Sequence, residues 1–442
     1  MNISGKSKIT PQLAFLVLFT GVVLYTLVLF LTTGGENLFG LFFSDIIDNF
    51  MDLFNPLKFV YGGDPYKYVE LGAMYPALCY VICDVTAFFL PADYRTMSPY
   101  DMGNHPQGVI LLAIWTVILA GAIIAYVLCF LKKRKVYYVV AVVFSCLYSA
   151  PVVFLWSRMN FLILALAFLL MFIIGKDSKN KVIRELSYVC LAISAAIKIY
   201  PAVFGVLLVL EKRWFDTIRC AIYGLIVFFV PFWYFDGITS IKNFLHNLIY
   251  GIGFTDYEWT GVAYRIDFKN NLAILKWLIG GDPSVTPPSY KPAMILVLVV
   301  LAAGLFIFTD KWKKVLCVTM IMVLAPSFNY AYSASFYLIP MVLFMSAESS
   351  KENQARCPAD RIFGYFYAAA LVMLLAPFTG PTRYMSDRWA IESRNPLTDA
   401  VFHQNIGQLI LITVVAVDLC VASLRLIKRI TDRNRIERKE QT

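Results

Sequence analysis

Long apolar runs recur along the whole chain and are separated by short polar segments. The runs lie at 12–32, 71–90, 108–131, 136–156, 159–175, 185–211, 216–235, 292–309, 315–327, 333–347, 362–379 and 404–427. A helix needs about 20 apolar residues to cross the hydrocarbon core of a bilayer, and most of these runs approach that length. The pattern therefore predicts an all-α polytopic membrane protein that forms a single integral membrane domain over residues 1–442.

The composition agrees with this class of protein. The chain is 59% hydrophobic and only 15% charged, whereas a soluble domain carries about 25% charged residues. The first run is too long for the apolar part of a signal peptide and lacks a small-residue cleavage site, so we interpret it as a retained first span. The nine cysteines are scattered, mostly inside apolar runs, which indicates packing rather than metal or redox chemistry.

Most of the 39 lysines and arginines lie in seven clusters between or beyond the apolar runs. The clusters are Lys6/Lys8, Lys132–Lys135, Lys176–Arg184, Lys212–Arg219, Lys311–Lys314, Lys351–Arg361 and Arg425–Lys439. Basic clusters mark the cytoplasmic loops of membrane proteins, so this distribution, rather than nucleic-acid binding, accounts for the net charge of +10. With every cluster in the cytoplasm, we predict about twelve transmembrane helices and two cytoplasmic termini.

Two of the apolar runs behave unusually in this topology. Run 71–90 cannot cross fully, because the next basic cluster would then fall outside, so we expect a helix that lies in or dips into the outer interface. Run 185–211 has basic residues at both ends and must cross twice, as two short helices. Pro201 cannot continue an unstrained helix, and Tyr200 before it is biased out of the α conformation, so the predicted turn lies at "KIYP".

The predicted outer side carries the longest loops. These are 33–107, which we expect to hold interfacial helices, 236–291 and 380–403. Long loops of this kind often carry function, so we expect the site on the extracytoplasmic side. Residues 428–442 form a basic cytoplasmic tail, which is typical of contact with anionic lipid headgroups.

Lys198 lies in the middle of the apolar stretch "AISAAIKIYPAVFGVLL". A charge at the centre of a membrane helix costs about 2.5–3.5 kcal/mol on insertion scales, so a lysine there indicates a functional site. Arg158, in "LWSRMN", and Arg265, in "WTGVAYRIDFKNN", are further cations expected at the outer face. For all three, the alternative is a side chain that only reaches lipid headgroups.

The first outer loop is acidic and begins with "LFFSDIIDNFMDLF". Asp45, Asp48 and Asp52 have helical spacing and could share one face of a helix. That face is either the solvated side of an interfacial amphipathic helix or the source of a carboxylate that acts as a general base on a substrate hydroxyl.

Several stretches resemble the polyprenol-phosphate-mannose-dependent mannosyltransferases of glycosyltransferase family 87. The matching pieces, which cover most of residues 40–340, are Asp45 after the first span, "GGDPYKYVELGAMYPAL", "SRMNFLILALAFLL", "AISAAIKIYPAVFGVLLVLEKRW" and, more loosely, "DFKNNLAILKWL" and "APSFNYAYSASFYLIP". The lysine and proline of the fourth piece are the most specific of these. The chain departs from the family pattern at Pro76-Ala77, where two prolines are usual, and at "FNYAYS", where histidines stand in a mycobacterial member.

The resemblance implies a GT-C membrane fold and an enzyme that moves a hexose, expected to be mannose, from a polyprenyl-monophosphate donor to a lipid or polysaccharide acceptor. It implies that Lys198 and Arg158, with Tyr200 and Arg265, bind the donor phosphate, and that Asp45, or else Asp48, is the catalytic base. We expect the substrate cavity to contain Tyr66, Tyr75, Asn160, Asn271, Asn329, Tyr330 and Tyr332.

Direct displacement by the acceptor would invert the sugar configuration. We expect no metal and no cofactor, because one cationic side chain can serve a single phosphate. The localisation implied is the bacterial plasma membrane, with the active site outside. The alternative class is a lipid or sugar transporter or flippase of envelope synthesis, since charge in the membrane and broken helices also occur in transporters. The sequence lacks the internal repeat that many transporters show.

Overall fold

The computed structural model describes residues 9–35, 49–67, 73–250, 265–281, 290–326, 329–347, 358–378 and 400–440. Within these ranges the chain is helical, and the only β-type pairing is an isolated bridge between Arg265 and Tyr330. The prediction of an all-α protein is therefore confirmed for the part of the chain that is described.

Among the described residues, nine helices precede Lys198. They are α1 (Pro11–Thr32), α2 (Met51–Val60), α3 (Ala77–Phe88), α4 (Pro99–Asn104), α5 (Pro106–Leu131), α6 (Val136–Leu147), α7 (Ala150–Arg158), α8 (Leu162–Gly175) and α9 (Lys181–Ile197). After Lys198, the described part of the chain forms nine more: α10 (Val206–Leu210), α11 (Trp214–Phe229), α12 (Ile238–Tyr250), α13 (Phe268–Leu278), α14 (Tyr290–Ile307), α15 (Lys311–Leu324), α16 (Leu338–Ser346), α17 (Pro358–Leu375) and α18 (Ala400–Glu440). Short 3₁₀ helices precede α10 (Tyr200–Gly205), follow α11 (Val230–Tyr234) and precede α16 (Ala331–Tyr337).

Five helical segments among the described residues are long and apolar enough to cross a membrane. They are Pro11–Thr32, Pro106–Leu131, Trp214–Tyr234, Tyr290–Ile307 and Val401–Asp432. The pair α6 and α7, bent by 50°, gives a sixth candidate if it forms one broken span. Further apolar helices, including α3 and α8, are shorter. The chain is thus a multi-pass membrane protein by length and composition, while the number of twelve crossings and the GT-C arrangement stay predictions.

Helix α3 has only 12 residues. At 1.5 Å per residue it spans about 18 Å, which is less than the roughly 30 Å of a bilayer core. This length agrees with the interpretation of run 71–90 as a helix that does not cross.

The chain reverses direction at Lys198–Tyr200, as the "KIYP" turn predicts. Helix α9 ends at Ile197, Lys198 has an extended backbone, and the 3₁₀ helix that contains Pro201 follows. The two ends of the hairpin meet, because the side chain of Arg213 donates a hydrogen bond of 2.9 Å to the carbonyl oxygen of Lys176. Lys198 therefore lies at the tip of a helical hairpin.

One expectation for the acidic segment is wrong. Phe50 has a left-handed backbone (φ 63°), so α2 begins only at Met51 and cannot continue a helix from earlier residues. The Phe50 amide donates to the carbonyl oxygen of Ser157 at 2.8 Å, and its ring packs edge-on against Trp156. These tertiary contacts outweigh the local cost of the left-handed conformation.

Because of this break, Asp52 does not share one continuous helical face with Asp45 and Asp48. Those two aspartates lie outside the described residues.

Candidate active site

Six polar and aromatic side chains from five separate segments meet around the hairpin tip. We call them the tip cluster: Asp52, Tyr75, Arg158, Asn160, Lys198 and Tyr332. All except Asp52 were candidates from the sequence. The cluster brings two cations and one carboxylate together, so its described members carry one excess positive charge.

Asp52, in the first turn of α2, receives two hydrogen bonds. Its Oδ1 lies 2.6 Å from the Arg158 guanidinium, and its Oδ2 accepts from the Asn160 amide at 2.7 Å. The side chains of Asp52 and Arg158 are each 16% exposed. An ion pair with so little solvent contact is screened less than one on the surface, so it holds the two helices α2 and α7 in a defined relation.

The buried side chain of Asn160 connects the members of the cluster. Besides Asp52, its amide group lies 2.8 Å from the Tyr75 hydroxyl and 3.1 Å from the Tyr332 hydroxyl. Its Oδ1 accepts from the Leu162 amide at 2.9 Å, which fixes the side chain to the start of α8. The residue before it, in the left-handed conformation, ends α7 and allows the chain to turn into α8.

Lys198 has an aromatic partner. Its ammonium lies 4.3 Å from the centre of the Tyr75 ring, and the negative charge of Asp52 acts on it from nearby. Within the described residues, no carboxylate forms a salt bridge with this ammonium. The half-buried ammonium can therefore accept an anionic partner.

Two further candidates lie next to the cluster. Tyr200 is hydrogen-bonded with Ser333 and packs edge-on against Phe336. Tyr66 is fully buried, and its hydroxyl donates to the Tyr75 carbonyl oxygen at 2.7 Å. Tyr66 thus supports the backbone of the cluster, rather than contributing its own polar group to it.

The remaining candidates lie in a second buried polar group. We call it the arginine network: Arg265, Asp267, Asn270, Asn271, Asn329, Asn405 and Gln408. Asp267 binds the Arg265 guanidinium through both oxygens, at 2.8 and 3.0 Å. The Asn271 amide donates to Gln408 at 2.7 Å.

Arg265, Asn271 and Asn329 are therefore not part of the tip cluster. The two groups are linked through Tyr330, whose ring stacks on that of Tyr332 at 5.3 Å.

Sequence reasoning missed two acidic residues that organise these groups. Asp52 stands out only as one member of an acidic row, and Asp267 only as a polar residue in "RIDFKNN". Asp267 could have been recognised locally as the N-cap of α13, because its side chain accepts a hydrogen bond from the backbone amide of Asn270. Asp52 has no such local signal, since its partners lie more than 100 residues further along the chain.

The fold and the site define a multi-pass membrane protein with a cationic polar cluster at the tip of a helical hairpin. The model of one family, glycosyltransferase family 87, matches residues 96–347, which is more than half of the chain. The chain therefore belongs to glycosyltransferase family 87, as its resemblance to that family predicts, and is a membrane glycosyltransferase. No curated protein and no solved structure matches it.

The family match includes part of the tip cluster. Arg158, Asn160, Lys198 and Tyr332 lie within the matched residues, whereas Asp52 and Tyr75 precede them.

Proposed function

We propose that this protein transfers a hexose, mannose in the first instance, from a polyprenyl-monophosphate donor to a lipid or polysaccharide acceptor at the extracytoplasmic face of a bacterial plasma membrane. Membership of a glycosyltransferase family supplies the reaction class. The observation that carries the donor assignment is Lys198, whose ammonium has no carboxylate salt-bridge partner among the described residues and lies in a cluster with excess positive charge.

The donor phosphate binds at Lys198, with Arg158 as the second cation. The prenyl tail stays in the bilayer, so the phosphate comes to lie at membrane depth, where an ammonium on a hairpin tip can meet it. The cost of burying the lysine is then offset by the anion that binds there. Tyr200, whose hydroxyl is hydrogen-bonded with Ser333, is the third ligand in this proposal. Arg265 is the weakest of the predicted phosphate ligands, because it lies outside the tip cluster and Asp267 binds its guanidinium through both oxygens.

The chemical step is a direct displacement with inversion. The acceptor hydroxyl oxygen forms a bond to the anomeric carbon, the bond from that carbon to the phosphate oxygen breaks, and polyprenyl phosphate leaves with the electron pair. Lys198 and Arg158 stabilise the charge that develops on the leaving oxygen. The hydroxyl proton passes to a carboxylate of the first loop, for which Asp45 is the first candidate and Asp48 the second.

Asp52 has a different role in this mechanism. Both of its oxygens are already bound, by Arg158 and by Asn160. A carboxylate in that state is suited to orienting the two donors rather than to taking a proton. Tyr75, Asn160, Tyr330 and Tyr332 provide the ring faces, amide and hydroxyls that a sugar requires, and Tyr66, Asn271 and Asn329 support them from the buried side.

The test is sugar transfer by the purified protein in lipid nanodiscs, with radiolabelled polyprenyl-phosphate mannose and a membrane lipid acceptor. We expect Lys198→Met to lower the rate by about 10²–10³-fold, the loss typical of removing a charge-stabilising donor. If Asp45 is the base, Asp45→Asn should abolish transfer. If Asp48 is the base, Asp48→Asn should abolish it. Lys242→Met, which changes a lysine of α12 outside the tip cluster, is the matched control.

Full activity in Lys198→Met would remove the donor assignment. Full activity in both Asp45→Asn and Asp48→Asn would remove the base assignment. If the label crosses the bilayer but stays attached to the polyprenyl phosphate, the protein is a flippase and the proposed reaction is wrong.

A further inference from the structure

The arginine network holds a chain segment that reaches the tip cluster. Asp267 is fully buried. Besides binding Arg265, its side chain accepts a hydrogen bond of 3.3 Å from the backbone amide of Asn329. The Ile266 amide donates to the Asn329 carbonyl oxygen at 2.9 Å. Residues 265–267 and 329–330 are thus bound to each other as a short antiparallel pair.

Side chains of α18 and α13 bind the same segment. The side-chain amides of Asn405 and Asn270 each donate a hydrogen bond of 2.9 Å to the backbone carbonyl oxygen of Arg265. A buried group with this many hydrogen bonds is strongly constrained, because breaking any one of them leaves a further buried polar atom unpaired.

The segment that begins at Asn329 ends in the tip cluster. The Asn329 side chain accepts from the Ser333 hydroxyl at 2.5 Å, which closes the turn. Inside this turn Tyr330 stacks on Tyr332, and the Tyr332 hydroxyl lies 3.1 Å from the Asn160 amide. A connected series of contacts therefore leads from the Asp267 carboxylate to the side chain that binds Asp52.

We infer that Asp267 is a positioning residue of this glycosyltransferase: it sets the turn at Asn329–Ser333, which places the Tyr332 hydroxyl against Asn160 in the tip cluster. The inference rests on the proposed function, since it requires that the tip cluster carries out transfer. In this inference Arg265 neutralises the charge of Asp267 in the network, rather than binding the donor phosphate. Among the described residues the Lys198 ammonium has no contact with the turn, and Tyr75 meets the series only through its hydroxyl on Asn160, so donor binding should depend on the turn less than kcat does.

The experiment is a double-mutant cycle on transfer kinetics in nanodiscs. Asp267→Asn should lower kcat by about 10-fold and change the KM for polyprenyl-phosphate mannose by less than about 2-fold, because coupled contacts of this kind are worth up to a few kcal/mol. In the Tyr332→Phe background, where the hydroxyl is already absent, Asp267→Asn should have little further effect. Should Asp267→Asn not fold, Asn329→Ala replaces it in the same cycle and is expected to give the same coupling.

The matched control is Asp418→Asn. Like Asp267, Asp418 is a buried carboxylate; it lies on α18, is paired with Lys313 at 2.6 Å and accepts from the Tyr367 hydroxyl at 3.0 Å. Among the described residues, neither of these partners belongs to the turn. The effect of Asp418→Asn should add to that of Tyr332→Phe. If the effect of Asp267→Asn, or of Asn329→Ala in its place, also adds to that of Tyr332→Phe, the inference is wrong while the proposed function stands. Absence of transfer by the wild-type protein would defeat both.

Discussion

At the scale of single residues, Tyr75 has two separate contacts that can be tested apart. Its ring lies under the Lys198 ammonium, and its hydroxyl is hydrogen-bonded to Asn160. A cation over an aromatic ring gains about 0.5–1 kcal/mol at exposed sites and about 2 when water is excluded. The ring should therefore hold the ammonium in place before an anion arrives.

We predict that Tyr75→Phe and Tyr75→Leu differ in donor affinity. Phenylalanine keeps the ring, so the Kd for the donor should stay within about 3-fold of wild type, whereas leucine removes it and should weaken binding by about 10-fold. The measurement is donor binding to the purified protein in nanodiscs. Equal affinity in both variants would show that the ring does not position Lys198.

A second residue-scale prediction concerns Asp177, in the turn between α8 and α9. Burial raises the pKa of this carboxyl, but hydrogen bonds from the Lys176 and Lys311 ammonium groups outweigh it, so the pKa lies below the ordinary value of 3.8. A carboxyl with a lowered folded-state pKa contributes stability above its unfolded-state pKa and loses that contribution as the pH falls to the folded-state value.

Asp177→Asn should accordingly lower the Tm near neutral pH, and the difference from wild type should shrink in acid. The measurement is the Tm of both proteins, by thermal unfolding, at a series of pH values from neutral into acid. A difference that is the same at every pH would contradict the ion-pair explanation.

The sequence predicted the cations and aromatic residues of the site better than its acids. Lys198 is evident because an ammonium in an apolar run has a large energetic cost, and Arg158 and Asn160 follow from a polar turn between two apolar runs. Asp52 and Asp267 owe their importance to partners from distant segments. No local pattern contains that information, because the partners are brought together only by the fold.

At the scale of elements, the sequence gives the positions of helices well and their continuity less well. The turn at "KIYP" is predicted correctly, because proline sterics act locally. The break at Phe50 is not, since its left-handed backbone depends on a hydrogen bond to Ser157 and on packing against Trp156. The 50° bend between α6 and α7 likewise interrupts one apolar run, 136–156.

Helix contact in this protein depends on small residues, as membrane helices often require. A methyl group on Gly407 of α18 would lie 2.8 Å from both the carbonyl oxygen of Ala370 and the amide nitrogen of Leu374 in α17. Neither backbone atom can move without displacing the helix. We predict that Gly407→Ala destabilises the protein by about 1–3 kcal/mol, the usual cost of overpacking.

The matched control for this prediction is Gly121→Ala in α5, where nothing lies within 4 Å of the added methyl group. Its stability should equal that of wild type or slightly exceed it. Thermal unfolding in detergent compares the two variants. A neutral Gly407→Ala would mean that α17 and α18 are not in close contact.

At the scale of the whole molecule, helix α9 separates two charged regions. Its 17 residues extend over about 25 Å, which approaches the thickness of the hydrocarbon core. At one end lies Lys198 with the tip cluster, and at the other lie Lys176, Glu211 and Arg213, which are joined by ion pairs and hydrogen bonds. A helix of this length can therefore place one region at each surface of the membrane.

The distribution of basic residues then determines which surface is which. The end with Lys176 belongs to a basic cluster, so it should be cytoplasmic and the tip cluster extracytoplasmic. We predict that a membrane-impermeant maleimide labels Tyr100→Cys in intact cells, and labels Lys179→Cys only after the cells are permeabilised. Both positions are exposed. The native Cys129 and Cys420, which are exposed, and Cys357, which lies outside the described residues, are first replaced by serine. The reverse labelling pattern would place Lys198 on the cytoplasmic side, where a donor used at the outer face could not reach it.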